Sequence, residues 1–559
     1  MRHLRAPAIA LALLSFVACS STAGSSDSGG SDIFGVKLKV PAAWDAKVAR
    51  PASEADALAS RQQCKFKKGA MPAETVGSEL PMDQDIPIKN VVVLMQENRS
   101  FDSYFGHLQK YAEAKGGPLN QGTDDAGNTP DRAIEAADEA TQIPKRIDRP
   151  DGDMVPWQRA KMMCASDTNH EWAGSHVEWN EGKMNGFFQA NQGFFEKGEP
   201  TPADATLAFG GERSMWWYDE NEIPFYYDLA STFAIGDHYH SSLIGPTYPN
   251  RDYLYAATSN GVVDGSYAGA NIGAFQFGSA DNDTLIFDEL TRRGISWKIY
   301  VNNPNGELVP RVFAYLGGTK GAARVLAWHQ AKLLTQNPLD ILPIVNMTQF
   351  EIDAAAGLLP QVSFVDGDIR ETVHGTDEHP PSDIQNGELF ASKIIGALMK
   401  GKQWKDSVLF HVYDEHGGVY DHVAPPDACP PDDTAPVLNG ADDPGFAADS
   451  AGNKLGFDKY GFRVPVVVVS PYAKRHYVSH KTYDHTSITR FIEAKFKLPA
   501  LTNRDANANP MFDFFDFSHP DTSVPALAAA PVDAAAYSAC EQFFSGPDLT
   551  DDSGLPHPQ

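Results

Sequence analysis

Cysteine is scarce: the chain has five in 559 residues. Cys19 lies near the N-terminus. Cys64, Cys164, Cys429 and Cys540 are spread so widely that their spacings match no metal-binding cysteine motif. Cations are scarce relative to acids, with 46 Lys plus Arg against 73 Asp plus Glu and a net charge of −27. Nucleic-acid backbones are gripped by clustered cations, so a nucleic-acid partner is not expected. Any phosphate chemistry here has to use local cations, metals above all. Long apolar runs are also missing. The one segment apolar enough to enter a membrane, Ala8 to Ala18, is too short to span one comfortably. There is no internal repeat. Hydrophobic residues at 42% and charged residues at 21% are ordinary globular usage, which excludes wholesale disorder. The length fits several average domains, or one large α/β domain with long insertions.

The N-terminus reads as an address. Arg2 and Arg5 precede the apolar run, Ser15 alone interrupts it, and Cys19 follows at once. This is the pattern of a secretion signal. Phe16-Val17-Ala18-Cys19 is similar to the bacterial lipobox, in which the cysteine is acylated and becomes the new N-terminus. Residues 1–18 are thus read as a signal peptide. Residues 19–80 are read as a lipidated Cys19 with a tether and N-terminal extension, Ser20 to Asp32 being Ser/Gly-rich. Cleavage near Ala18 without a lipid is the alternative. Either way the chain is expected to be exported, as an envelope or outer-membrane lipoprotein held by its lipid anchor, or as a secreted protein. The four remaining cysteines then predict two disulfides, with three pairings open.

Strands and helices alternate along the rest of the chain. Lys89 to Met95 is a short β-branched run of the kind buried in parallel sheets. Further strands are predicted near Phe233 to Gly236 and over Ile295 to Val301, Gln361 to Val365, Ser407 to Tyr413 and Val464 to Ser470. Helices are predicted over Leu285 to Arg293, Gly387 to Lys400 and Ser487 to Lys497. The alternation predicts an α/β fold, a three-layer α/β/α sandwich with a mainly parallel central sheet and long loop insertions. Residues 81–520 are read as the catalytic domain. The polar, Trp- and Gly-rich stretch of about 112–233 is an insertion within it, and Pro425 to Asp458 a surface loop. Residues 521–559 form a C-terminal tail.

Polar residues gather where strands end, which is where open α/β sheets bind ligands. Strand 89–95 runs into Gln96-Glu97-Asn98-Arg99-Ser100-Phe101-Asp102. Glu97 and Asn98 supply two oxygen donors suited to a hard divalent cation, although Asn98 and Ser100 could equally cap a helix. After Phe233 to Gly236 comes Gly245-Pro246-Thr247-Tyr248-Pro249-Asn250-Arg251. Pro249 fits a first helical turn, which puts the Thr247 hydroxyl at a helix N-terminus, a place that favours phosphate. There it is either a nucleophile, once a base or metal lowers its pKa, or simply an N-cap. Strand 407–413 ends in Asp414-Glu415-His416-Gly417-Gly418, whose acids and imidazole suit a metal site. His374 and Asp377-Glu378-His379-Pro380-Pro381 lie past strand 361–365, and His485 opens the last helix. His170 sits in Asp167-Thr168-Asn169-His170-Glu171-Trp172. Each histidine alone reads as a cap or core residue; their concentration after successive strands reads as a site.

These blocks carry a resemblance. Residues 97–106, Glu-Asn-Arg-Ser-Phe-Asp-Ser-Tyr-Phe-Gly, closely resemble the signature of the bacterial phosphoesterase family of secreted phospholipases C and acid phosphatases, a branch of the alkaline-phosphatase superfamily. The blocks at 169–172, 182–187, 245–251, 377–381, 413–423 and 483–487 resemble it too, in family order from about Lys89 to Leu498. The resemblance implies an α/β/α sandwich with Thr247 as nucleophile and metal ligand, and further ligation by Glu97, Asn98, Asp414 and Glu415. It implies that His170 and His379 contact phosphoryl oxygens or protonate the leaving group. His374, His416 and His485 are further candidates. His416 stands where phospholipase-type members often carry Asn, so whether it is a second-metal ligand stays open.

The reaction so implied is metal-dependent hydrolysis of a phosphoric ester. The substrate is a phosphate ester, a phospholipid in the phospholipase C-like reading. A phosphomonoesterase of acid-phosphatase type is the alternative, and an inactive binding lipoprotein is the third. Oxygen-rich ligands suit Ca, Mg or Mn, and histidines admit Zn.

Overall fold

A computed structural model describes residues 40–137, 157–194, 210–263, 284–302, 344–368, 372–438 and 448–545 apart from 453 and 532, together with the short pairing of Asp32–Ile33 and Val36–Lys37. The expected signal segment, Cys19 and most of the Ser/Gly-rich tether lie outside the described residues. Among the described residues no helix is long and apolar enough to cross a membrane.

Among the described residues the main sheet has nine strands: β1 (Asn90–Gln96), β2 (Asn120–Asp124), β3 (Ala234–Gly236), β4 (Trp297–Val301), β5 (Ile344–Asn346), β6 (Val362–Asp366), β7 (Ser407–Tyr413), β8 (Val466–Val469) and β9 (Tyr477–His480). Their order across the sheet is β2-β9-β3-β8-β7-β1-β6-β4-β5. Every pairing is parallel except the two made by β8, which is antiparallel to both neighbours. The mainly parallel sheet expected from the alternation is therefore present, with one reversed strand inside it. All seven residues of β1 and all seven of β7 are buried, so helices cover both faces.

After α1 (Glu54–Arg61) and α2 (Trp172–Trp179), the helices of the main body fall into two packed groups. On one side α3 (Pro224–Thr232) and α6 (Thr348–Ala356) pack against the long α7 (Ile384–Lys400). In the other group α4 (Thr247–Ala256), α5 (Ile286–Arg293) and α8 (His485–Phe496) pack together. One continuous apolar core fills the space between, from Val91–Met95 of β1 to Phe491 and Ile492 of α8. The chain β6-α7-β7 crosses over β1, so the carboxyl ends of these three strands lie side by side. Register fixes the alignment: Tyr413 pairs with Gln96, and Asp366 with Met95. The residues that follow, Glu97 and Asp414, are thereby brought to one edge.

The stretch 112–233 contributes to this body. Its β2 forms the sheet edge against β9. Its aromatic side chains build a second apolar cluster that includes Trp179, Phe187, Phe188 and Met215, with Tyr420 and Phe462 of the main body. Trp172 and Trp216 are buried as well, and the half-buried Trp217 stacks on His107 at 4.1 Å. These aromatics pack the stretch instead of projecting from it. The disulfides are Cys64–Cys429 and Cys164–Cys540, joining residues 365 and 376 apart in sequence. The first ties the N-terminal extension to the Pro/Asp-rich loop. The second ties the helix Ala534–Phe543 to the stretch beside Asp167 and His170.

Candidate active site

The site begins at the end of β1. Asn98 takes a left-handed backbone, φ 62°, and its N–H donates to Asp414 Oδ1 at 3.3 Å. The opposing loop turns sharply at Gly417, φ 65°, where a Cβ would lie 2.5 Å from the Asn98 carbonyl oxygen. Only glycine lets the two loops approach so closely. Arg99 N–H donates to the Glu415 carbonyl at 3.1 Å, so backbone bonds lock both loops together.

Helix α4 brings Thr247 and Arg251. Thr247 is its first residue, 7% exposed, behind an extended Pro246. Arg251 lies one turn further on the same helical face. Its guanidinium meets three carboxylates: Glu97 at 3.0 Å, Asp366 at 2.8 Å and Asp414 at 2.9 Å. Arg251 is 2% exposed, so these pairs sit out of water. Glu415 brings a fourth carboxylate, its backbone bonded to Arg99, and its Oε2 accepts from Gly417 N–H at 2.6 Å.

One guanidinium cannot balance four buried carboxylates. Burial pushes the Glu97 carboxyl up to about 7 against the pull of Arg251, with the neighbouring acids adding to the rise. Burial likewise lifts Asp414 to about 8, again opposed by Arg251 and reinforced by Glu97 and Glu415. Burial would raise Glu415 too, but His170 and His416 outweigh it and hold that carboxyl below its ordinary value. Two acceptors, Asn98 Oδ1 and Glu415 Oε1, are buried with no hydrogen-bond partner. Buried acceptors without donors are costly, and hard oxygen donors around excess negative charge fit a divalent cation. The predicted ligands therefore suit the metal expected of them.

The histidines divide. His170 Nδ1 bonds the Thr168 carbonyl at 2.7 Å, with Asn98 Nδ2 3.4 Å and Asp167 Oδ1 3.6 Å away. His379 Nδ1 bonds the Pro380 carbonyl at 2.6 Å. A carbonyl only accepts, so Nδ1 carries the proton in both, and Nε2 is the nitrogen that handles a proton or a ligand bond. The two rings lie 5.6 Å apart, and Asp167, His170 and His379 could together hold an ion. His416 faces two carboxylates, with Nε2 2.7 Å from Glu178 and Nδ1 3.3 Å from Glu415. Burial opposes its charge, yet those carboxylates raise its pKa, which makes it a counter-charge beside Glu415. His485 is pushed down to about 4 by burial; its ring bonds Tyr239 Oη at 3.0 Å and the Asp414 carbonyl at 2.6 Å. It props the Asp414 loop from behind. His374 is not brought to the carboxylates; it bonds Tyr537 of the C-terminal helix.

Sequence reading gave no role to Arg251, Asp366, Asp167 or Glu178. The signals were present: Arg251 follows Thr247 by one helical turn, and Asp366 ends a buried strand as Asp414 follows one.

The chain is similar to known proteins over most of its length. A sequence model of the Phosphoesterase family matches residues 88–499. Phospholipase C A of Mycobacterium tuberculosis (strain CDC 1551 / Oshkosh) is 31% identical, over 79% of this chain and 81% of that protein. Phospholipase C B of the same strain is 31% identical over 79% and 82%. Non-specific phospholipase C1 of Arabidopsis thaliana is 27% identical over 82% and 75%. The matched span runs from the strand that delivers Glu97 to the end of the helix that His485 opens, and the chain belongs to the phosphoesterase family, as a hydrolase of phosphoric esters.

Proposed function

We propose that the protein is a metal-dependent, phospholipase C-like phosphodiesterase that works through Thr247. The observation that carries this is the convergence of Glu97, Asp366 and Asp414 on Arg251, one turn along the helix that Thr247 starts, beside buried oxygens of Asn98 and Glu415 that stand without donors. Those four residues and Thr247 would hold the cation. A bound divalent cation supplies polarisation of a phosphoryl oxygen and a lower pKa for the Thr247 hydroxyl. The first turn of α4 presents backbone N–H groups to the phosphoryl oxygens. Thr247 Oγ attacks phosphorus in line as its proton leaves to solvent; the ester bond to the leaving alcohol breaks, and His379 or His170, entering the step as the imidazolium, gives the alkoxide a proton that it regains from solvent. Water then attacks from the vacated side, releasing a phosphomonoester and restoring the hydroxyl. Positioning and charge stabilisation carry most of the catalysis. Relatives named as phospholipases C favour a diester, and a phospholipid head group is the substrate class that follows. Export with acylation at Cys19 would hold the enzyme beside such a substrate.

The purified protein, assayed with and without a chelator, tests this on an aryl phosphorylcholine diester and a simple aryl phosphate. Diester cleavage that is lost with the chelator and restored by a divalent metal is expected. Preference for the monoester makes the protein an acid phosphatase, and inactivity on both with metal supplied removes the enzymatic reading.

A further inference from the structure

We propose that Glu378 is a positioning residue that holds the three site-bearing loops in one arrangement from beneath; the inference rests on the metal-dependent reading above. Glu378 is fully buried, so it acts through its neighbours and not on substrate. It sits between Asp377 and His379 with a left-handed backbone, φ 77°. Its carboxyl group collects four donors. Gln96 Nε2 and Tyr226 Oη donate to Oε1 at 2.6 and 2.5 Å; Tyr104 Oη and Tyr413 Oη donate to Oε2 at 2.6 and 3.0 Å. Its carbonyl accepts from Arg99 Nη2 at 2.8 Å.

Gln96 immediately precedes Glu97, Arg99 immediately follows Asn98, and Tyr413 immediately precedes Asp414. Glu97 N–H also donates to the Asp377 carbonyl at 2.8 Å. One side chain thus fixes the residues flanking the expected ligands on two loops, while its own loop delivers His379. The donors are themselves constrained. Gln96 Oε1 lies 2.8 Å from His411 Nε2, which identifies it as the acceptor and aims the Gln96 amide N–H at Glu378. Helix α7 makes room with Gly387, where a Cβ would lie 2.1 Å from the Glu378 Cγ. An amide in place of the carboxyl group puts NH2 where one donor pair now points, and buried networks tolerate such mismatches poorly.

The test uses the full-length protein, with Glu378→Gln and, should that variant not fold, Tyr413→Phe, which removes a single hydroxyl. Affinity for Mn2+, Ca2+, Mg2+ and Zn2+, each alone, is measured by calorimetry, alongside kcat and KM on the aryl phosphorylcholine and the unfolding midpoint without metal. Groups that orient ligands from behind typically change affinity or activity about 10–100-fold. Glu378→Gln is expected to weaken binding of the wild-type cation and to lower kcat, each at least about tenfold, with KM within about twofold. Tyr413→Phe moves both the same way by less. Wild-type affinity and kcat in a folded variant, with or without a lower unfolding midpoint, overturns the inference. A wild-type protein that neither binds metal nor cleaves the ester overturns the functional reading itself, a result distinct from an unaffected variant of an active enzyme.

Discussion

Thr247→Ala is expected to cut turnover of a diester at least about a thousandfold while the protein stays folded. Thr247 is small and 7% exposed at the first position of α4, and the residue before it already has the extended backbone of a cap. Loss of an N-capping hydroxyl alone costs only about 1 kcal/mol of stability. A structural role and a nucleophilic role therefore predict different outcomes. The first lowers the unfolding midpoint slightly and leaves kcat alone; the second removes kcat and leaves the midpoint nearly unchanged. Thr247→Val, which keeps the shape, should be as inactive as Thr247→Ala. Comparing kcat with the unfolding midpoint in both variants decides the matter, and wild-type-like turnover in either would rule Thr247 out.

The second large effect is on Arg251. Its guanidinium balances Glu97, Asp366 and Asp414 at 2.8 to 3.0 Å, out of water. Removing one partner of a buried ion pair typically costs about 3–5 kcal/mol, because the charge left behind is uncompensated. Arg251→Met should therefore lower the stability of the metal-free protein by about that much at pH 8 to 9. The penalty should shrink as pH falls, because protonated carboxyls need no counter-charge. The wild-type protein has its own pH dependence of the same origin. Glu97 and Asp414 titrate near 7 and 8 in the folded state, above ordinary values of 4.5 and 3.8. Raised carboxyl values mean that the folded state binds more protons than the unfolded state. Their stabilising contribution is full below about pH 4 and is lost as pH rises through about 7 to 8. A divalent cation binds the deprotonated oxygens and releases those protons, so its stabilisation should grow over the same window. Unfolding midpoints from pH 5 to 9, with and without metal, check both slopes. A metal-free stability that rises across pH 6 to 8 would contradict this picture of the charges.

Much of the sheet was legible because its strands are short β-branched runs: Lys89 to Met95 and Ser407 to Tyr413 each coincide with a buried strand to within a residue. Direction was not legible. The run Val464 to Ser470 is apolar on both faces, and an apolar run carries no sign of which way it crosses the sheet; the structure reverses it. The strand Asn120–Asp124 was missed because it is a polar edge strand without alternation. At the site, Glu97, Asn98, Asp414 and Glu415 stood out as polar runs at strand ends, and register brings their loops together. Arg251 was invisible as a site residue because an arginine on a helix is ordinarily solvated. Glu378 was masked by its neighbours: a carboxylate between Asp377 and His379 looks like one more ligand, and only the tertiary approach of three tyrosines shows that it faces inward. The disulfide pairing was beyond reach, since four cysteines far apart in sequence carry no local sign of their partners.

A nucleophilic Thr247 must pass through a covalent intermediate, which can be trapped. The metal-supplemented enzyme is mixed with the aryl phosphorylcholine, quenched in acid during the first turnovers, digested, and analysed by mass spectrometry. A phosphorylcholine ester is expected on the peptide spanning α4, localised to Thr247 and absent from Thr247→Ala. Continued turnover with no adduct at Thr247 in rapidly quenched samples, or an adduct on a different side chain, would contradict it.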